Sequence, residues 1–339
     1  MTSNVYTLEY IWIGGLNELR SKTRIYHGII NNINDIPEWN YDGSSTAQVV
    51  INNLDTEIII RPVKYIIDPL RLTNNSFLVL CETFQSSDKP IFNNFRYNAN
   101  KIFNTDKSLS LEPWFGLEQE YFMVDIINNL WSHDYDLHKG QLYCGIGNKQ
   151  PLERTIVEEH LQACLYSGLQ ISGINAEVAR YQWEFQIGPS IGIDAADQLW
   201  LARYILERIA EKYGIFINYK PKILKEINGS GCHTNFSTIL TRSDNDSGLD
   251  YIYKYIDKLA QKQSEHIAVY GDGNKERLTG LHETASIEHF TYGIGTRNTS
   301  VRIPNQVVKD KKGYFEDRRP AANMDPYLVT SIIFQTCCL

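Results

Sequence analysis

The sequence predicts an α+β chain in two parts, and two observations carry that reading. Residues 5 to 85 alternate short β-type runs with turn-rich connections, whereas the later part holds long segments with apolar residues at helical spacing, separated by strand-like runs. In the first part the expected strands are Tyr10–Ile13, Glu57–Val63 and Phe77–Cys81, and Pro37 to Ser45, rich in Pro, Asn, Asp, Gly and Ser, reads as a connecting turn. Ser86 to Lys89 before Pro90, followed by the polar stretch Asn93 to Asn104, form a junction, which puts the first domain at 5–90 and the second at 97–339. In the second, helices are expected at Leu152–Ser167, at Ala195–Tyr213 with Asp194 near its start and Gly214 past its end, and at Leu249–Ala268. Strands are expected at Trp114–Ile126, Gln182–Ile187, Cys232–Ser237 and Ser300–Pro304.

Composition narrows the function. A formal net charge of −7 and the lack of a long Lys/Arg run argue against a nucleic-acid surface and for small-molecule or protein partners. Met1 to Tyr10 lacks the basic-then-apolar pattern of a signal peptide, and no run is apolar for the roughly 20 residues of a membrane span. The expectation is therefore a cytoplasmic chain with no membrane partner. The six cysteines show no metal spacing and read as reduced thiols.

The densest chemistry begins at Glu118 and Glu120 in Trp114-Phe115-Gly116-Leu117-Glu118-Gln119-Glu120-Tyr121-Phe122. Side chains two apart on a strand share a face. Two carboxylates side by side on a mostly apolar strand repel each other and resist desolvation, so protonation or a cation must relieve them. An isolated Glu-x-Glu is more often a solvated strand face. Further along, Gln182 to Pro189 puts Glu184 and Gln186 on the face opposite Trp183, Phe185 and Ile187; a polar outer face of an edge strand fits equally well. Asn228-Gly229-Ser230-Gly231 then leads into a strand carrying His233, Asn235 and Ser237 on one side, although a lone strand histidine is more often structural. Arg277, Arg297, Arg302, Arg318 and Arg319 gather in the last third, suited to polyanions by bidentate hydrogen bonding, with surface ion pairs as the plain alternative. No phosphate-loop or dinucleotide fingerprint occurs, so a nucleotide would be held by metal and arginine. Oxygen-rich ligation with one histidine suits Mg2+ or Mn2+ better than structural zinc. The residues by themselves point to phosphoryl transfer from a metal-nucleotide.

Seven segments in order carry a closer likeness: Trp39 to Thr46, Pro113 to Tyr121, Asn175 to Val178, Gln182 to Pro189, Asn228 to Ser237, Arg277 to Thr284 and Lys312 to Pro320. Over nearly its whole length the chain resembles glutamine synthetases of the eukaryotic, class II type. The resemblance implies an N-terminal β-grasp domain, a C-terminal catalytic domain of the glutamine-synthetase/guanido-kinase type, and ligation of ammonia to glutamate with ATP through a γ-glutamyl phosphate. It implies that Glu120, Glu177 and Glu184 hold the metal near glutamate, and Glu118, His233 and Glu316 the metal on the ATP phosphates. Arg277 and Arg318, with Asn228 and Gly229, match the glutamate site. Arg297 and Arg302 match residues on the transferring phosphate and ATP, and Trp114, Gln186, Asn235, Ser237 and Tyr314 fall in nucleotide-lining segments. Asp42, with Ser45, matches the ammonium site and proton acceptor, where the residues alone suggest an Asx turn. Glu283 matches the flap that shields the intermediate. Pentameric rings stacked into a decamer, with active sites at subunit interfaces, are also implied. The chain departs from the pattern in reaching Tyr10 without a preceding helix, in stopping at Leu339 without a short tail, and in Glu226-Ile227 where Asn-Trp is expected. A ligase for a larger amine and a non-catalytic ring scaffold are the competing readings. An altered Asp42 segment would favour the first and lost ligands the second; neither change occurs.

Overall fold

A computed structural model describes residues 4–49, 55–71, 73, 75–125, 142–147, 151–244 and 247–339. By internal contacts the chain forms two units, Met1–Lys101 with Ala163–Leu169, and Ile102–Gln162 with Gln170–Leu339.

The first unit is a five-stranded sheet of β1 (Asn4–Ile13), β2 (Leu19–Gly28), β3 (Trp39–Asp42), β4 (Glu57–Ile67) and β5 (Ser76–Gln85) in the order β2-β1-β5-β4-β3, with β1 and β5 parallel and the other pairs antiparallel. Helix α1 (Phe95–Phe103) begins in the polar stretch expected to be a junction. The expected turn at Pro37–Ser45 is in part β3. Its polar neighbours hide two aromatic strand formers, for Trp39 packs edge-on against Tyr10 and Tyr41 stacks on Trp12 at 4.5 Å. Tyr6, Leu8, Tyr10, Trp12, Ile60 and Val79, alternate residues of β1 with partners on β4 and β5, close the core beneath.

The second unit holds α2 (Asp106–Leu111), β6 (Trp114–Asp125), α3 (Pro151–Tyr166) up to Gln162, β7 (Ile171–Ala176), β8 (Gln182–Ile191), α4 (Asp194–Lys212), β9 (Ile215–Asn218), β10 (Cys232–Ser237), α5 (Ile239–Arg242), α6 (Gly248–Gln261), α7 (Gln263–Ile267), β11 (Tyr292–Ile294), β12 (Val301–Ile303), α8 (Asn305–Asp310), β13 (Phe315–Asp317) and α9 (Pro326–Cys338). Its strands run β11-β12-β13-β10-β6-β8-β7, with β9 beside the far end of β6, and all pairs but β11/β12 are antiparallel. Ile126, the expected end of the first strand here, lies outside the described residues. α4 packs on β6, β8 and β9, is buried along most of its length, and gives way to Gly214 at φ 66°. The helix expected at Leu249–Ala268 is two helices: Lys262 departs to φ −111°, ψ 19°, and the chain restarts as α7, which turns His266 inward. An apolar stripe that continues across the break conceals it from periodicity. α9 was not anticipated, although Asp325 caps it by accepting from Tyr327 N–H and Leu328 N–H and Pro326 opens it.

Behind β13 lies a buried polar chain. Asp317 takes two hydrogen bonds from the Arg319 guanidinium, at 2.9 and 2.7 Å, a third from the Arg319 backbone N–H at 3.0 Å, and one from the Tyr270 hydroxyl at 2.7 Å; His266 contacts that hydroxyl through Nδ1 and Thr336 through Nε2. Cys81, Cys164, Cys232 and Cys337 are buried, Cys338 is partly so, and Cys144 is exposed; no two of the six are bridged. No helix of the described residues is long and apolar enough to cross a membrane.

Candidate active site

Antiparallel pairing of β8, β6, β10 and β13 sets their charged residues opposite one another. Glu120 faces Glu184, Glu118 faces Gln186 and His233, and Asn235 faces Glu316. Like charges directly opposite destabilise a sheet, so this arrangement needs a compensating partner. One polar cavity is lined by Glu118, Glu120, Glu177, Glu184, Asn228, Gly229, His233, Arg277, Glu283, Arg297, Arg302 and Arg318, all candidates from the sequence. Two groups of ligand atoms converge in it, Glu118 with Glu184 and His233, and Glu120 with Glu177 and Glu184, each set within 4.8 Å of one another. Glu184 is common to both.

His233 Nδ1 stands 3.6 Å from Glu118 Oε2, 3.9 Å from Glu120 Oε1 and 3.5 Å from Glu316 Oε1. Glu316, expected alongside Glu118 and His233, is also held by two arginines: Arg318 Nη1 donates to its Oε1 at 2.6 Å and Arg302 Nη1 to its Oε2 at 3.2 Å. Burial raises the Glu120, Glu177 and Glu184 carboxyls, and at Glu184 the charges of Glu118, Glu120 and Glu177 push further. Burial drives His233 well below its ordinary value, and Arg318 adds to the shift. The three carboxyls resist ionisation until a cation arrives, and His233 is held as the neutral imidazole that a metal ion takes. Carboxylate oxygens with one imidazole nitrogen fit a hard divalent ion, so the residues suit the metal that the resemblance implies.

The arginines divide their work. Arg277 is buried; its Nη2 donates to the carbonyls of Arg318, Arg319 and Pro320, and its Nε to Asn274 Oδ1 at 3.1 Å. Burial lowers it to about 10, so it stays a cation at neutral pH. Arg318 Nε donates to Arg297 O at 3.0 Å, and Arg297 lies 3.6 Å from Glu283 and 3.3 Å from the Tyr143 hydroxyl. Arg302 Nε is buried and finds no acceptor among the described residues, as a guanidinium that awaits an anion would be. His282 and Glu283 both take left-handed backbone, at φ 52° and 63°.

A second, apolar cavity shares Glu118 and Gln186 with the first and is lined by Trp114, Leu117, Ile187, Pro189, Asn235, Ser237, Arg242 and Tyr314. Trp114, Gln186, Asn235, Ser237 and Tyr314, the nucleotide candidates, thus meet here. Asn235 and Gln186 also do something the sequence did not suggest: their amides donate to Glu118 Oε1 at 2.8 Å and Glu184 Oε1 at 2.7 Å. Sequence reasoning missed Arg242, whose guanidinium lies 4.0 Å over the Trp114 ring and donates to Ser237 Oγ, as well as Tyr143 and Gln182 in the polar cavity. Only Gln182 left a signal, the same strand parity as Glu184. Asp42 and Ser45 belong to the first unit and line neither cavity. Asp42 Oδ1 accepts from Ser44 N–H and Oγ, and Oδ2 from Ser45 Oγ, which is the Asx turn that the residues suggested. These bonds, that of Ser44 Oγ foremost, hold its carboxyl below the ordinary value. Beside Glu226-Ile227, Lys222 Nζ donates to Ile227 O.

Residues 93–338 match the family model described as glutamine synthetase, catalytic domain. The chain is 52% identical to a putative glutamine synthetase of Acanthamoeba polyphaga mimivirus over 99% of this chain and 95% of that one. It is 48% identical to glutamine synthetase of Candida glabrata (97% and 88% covered) and 48% identical to the cytosolic isozyme 1-1 of Oryza sativa subsp. japonica (99% and 94% covered). A solved structure described as a GmaS/ADP complex shares the fold, with TM-score 0.75 at 18% identity over 99% of this chain and 78% of that one.

Proposed function

Because the chain belongs to the glutamine synthetase family and is a glutamate–ammonia ligase of glutamine biosynthesis, we propose that the polar cavity holds glutamate with two or more divalent ions, Mg2+ or Mn2+, and the apolar cavity holds ATP. ATP and divalent ions belong to the family's chemistry; which ions, and which residues take them, is the proposal. The observation that carries it is the pair of three-residue ligand groups that meet at Glu184. Glu120, Glu177 and Glu184 serve the glutamate side, and Glu118 and His233 the phosphate side, with Glu184 adjoining both. Glu316, already bound by Arg302 and Arg318, anchors those arginines as much as an ion.

Bound ions supply charge neutralisation, which lets two anions approach. The protein's own groups do the rest. Arg277 and Arg318, beside Asn228 and Gly229, hold glutamate so that a γ-carboxylate oxygen faces the γ-phosphorus. That oxygen forms the new P–O bond as the bond to ADP breaks, and Arg297 and Arg302 take up charge on the transferred group. Trp114, Gln186, Asn235, Ser237 and Tyr314 orient the nucleotide. Glu283 closes over the acyl phosphate and keeps water from it. Asp42, steadied by Ser45, accepts a proton from ammonium; the ammonia nitrogen then bonds to the carbonyl carbon of the acyl phosphate as the bond to phosphate breaks, and the surplus proton leaves with the phosphate. Asp42 comes from a neighbouring subunit, in pentameric rings paired as a decamer. A cytoplasmic location completes the proposal and rests on the designation of the rice relative.

With Mg2+, ATP and glutamate, phosphate release should require ammonium. Asp42→Ala should cripple ammonium use and leave ATP affinity intact. Equal release with a polyamine and none with ammonium would reject the substrate reading, and loss of ATP binding in Asp42→Ala would reject that residue's role.

A further inference from the structure

Glu118, Glu120 and Glu184, the glutamates on the two central strands, each have one oxygen fixed and one left over, unlike Glu316, whose two oxygens both accept from arginines. Glu118 Oε1 accepts from the Asn235 amide at 2.8 Å, while Oε2 stands 3.6 Å from His233 Nδ1. Glu184 Oε1 accepts from the Gln186 amide at 2.7 Å, and its second oxygen takes no hydrogen bond among the described residues. Glu120 repeats the pattern with a backbone donor, Gly231 N–H at 2.8 Å from Oε2.

The two side-chain donors are placed by the sheet. Asn235 pairs with Gly116, two residues from Glu118, and Gln186 lies two residues from Glu184 on the same face of β8. Across from Gln186, Gly173 leaves the space that its amide fills: a Cβ there would stand 2.7 Å from Gln186 Oε1. A carboxylate with one oxygen engaged by an amide presents a single oxygen to an ion. Mg2+ demands six near-octahedral, single-oxygen ligands, whereas Ca2+ accepts more ligands and readily takes both oxygens of a carboxylate. We propose that Asn235 and Gln186 are positioning residues that set ion choice: by limiting Glu118 and Glu184 to one oxygen each, they favour a small octahedral ion over Ca2+. The inference rests on the cluster being a metal centre. Loss of either amide frees a second oxygen, and the larger ion gains.

The test uses full-length protein stripped of metal and free of nucleotide. Bound Mn2+ is followed by electron paramagnetic resonance, with Mg2+ and Ca2+ as competitors, in the wild type, Asn235→Ala and Gln186→Ala. Ca2+ should improve relative to Mg2+ by about 10-fold in each variant, the usual order of effect of removing a ligand's hydrogen-bond partner. An unchanged competition ratio in both variants, with Mn2+ still bound, overturns the proposal. Failure of the wild type to bind Mn2+ instead overturns the metal reading beneath it, and the proposal with it. If a direct variant does not fold, Gly173→Ala displaces the Gln186 amide without touching a ligand. A shift toward Ca2+ there supports the proposal; no shift counts against its Gln186 half.

Discussion

Strand β13 carries two ionic clusters back to back, and they obey opposite rules. On one side Asp317 and Arg319 are completely buried, paired through two side-chain hydrogen bonds and completed by Tyr270. Burial pushes the Asp317 carboxyl up, yet Arg319 and Tyr270 more than offset it and hold it below its ordinary value. On the other side Glu316 and Arg318 adjoin Glu118, Glu120, Glu184 and His233, where carboxylates oppose carboxylates and Glu120, Glu184 and His233 are pushed toward their neutral forms. A strand's alternation separates a charge set that holds the fold from one that waits for a ligand. The first is internally complete and the second is not, and that incompleteness marks the site.

The contrast can be broken in order of size. Arg319→Leu leaves Asp317 buried without its guanidinium and should cost about 3–5 kcal/mol in chemical denaturation. A loss under about 1 kcal/mol would mean that the rear cluster is not the structural one. Glu184→Gln on the front should do the reverse. In EDTA near pH 7 it removes a buried carboxylate pressed by three others and should stabilise by about 1–2 kcal/mol. The same variant should lose the rise in melting temperature that Mn2+ gives the wild type, and destabilisation in EDTA would show that the cluster satisfies itself. The smallest effect is a pH slope. Glu120, Glu177 and Glu184 have raised carboxyls in the fold, so their contribution is most favourable below the ordinary value of 4.5 and is lost as pH rises through their folded values. Asp317 works the other way, losing its contribution as pH falls. Metal-free protein should therefore weaken from about pH 5 toward 8, and saturating Mg2+ should flatten that slope.

How much could be read beforehand follows the same division. Glu118, Glu120, Glu184 and His233 were visible because strand parity and unfavourable charge are both local properties of the sequence. The shared position of Glu184 was not, since it depends on which strands pair and in what register. Arg242, placed over Trp114 by the short helix α5, and Tyr143, reaching the polar cavity from a loop, left no periodic signal. Neither did the amide bonds of Asn235 and Gln186, which exist only once the sheet has assembled. Fold errors have a similar source. β3 was hidden by turn-forming neighbours, and the break at Lys262 lies within one residue, which a pattern spread over several turns averages away.

The distribution of sulfur has a practical side. Burial raises the thiols of Cys81, Cys164, Cys232 and Cys337, which makes them poor nucleophiles as well as inaccessible ones, and Cys338 is raised to about 11. Cys144 is exposed and sits next in sequence to Tyr143, which lines the polar cavity. Thiol-directed chemistry on the native protein is thereby addressed to one residue, giving a fluorophore or spin label an attachment point beside the site without prior removal of the other cysteines.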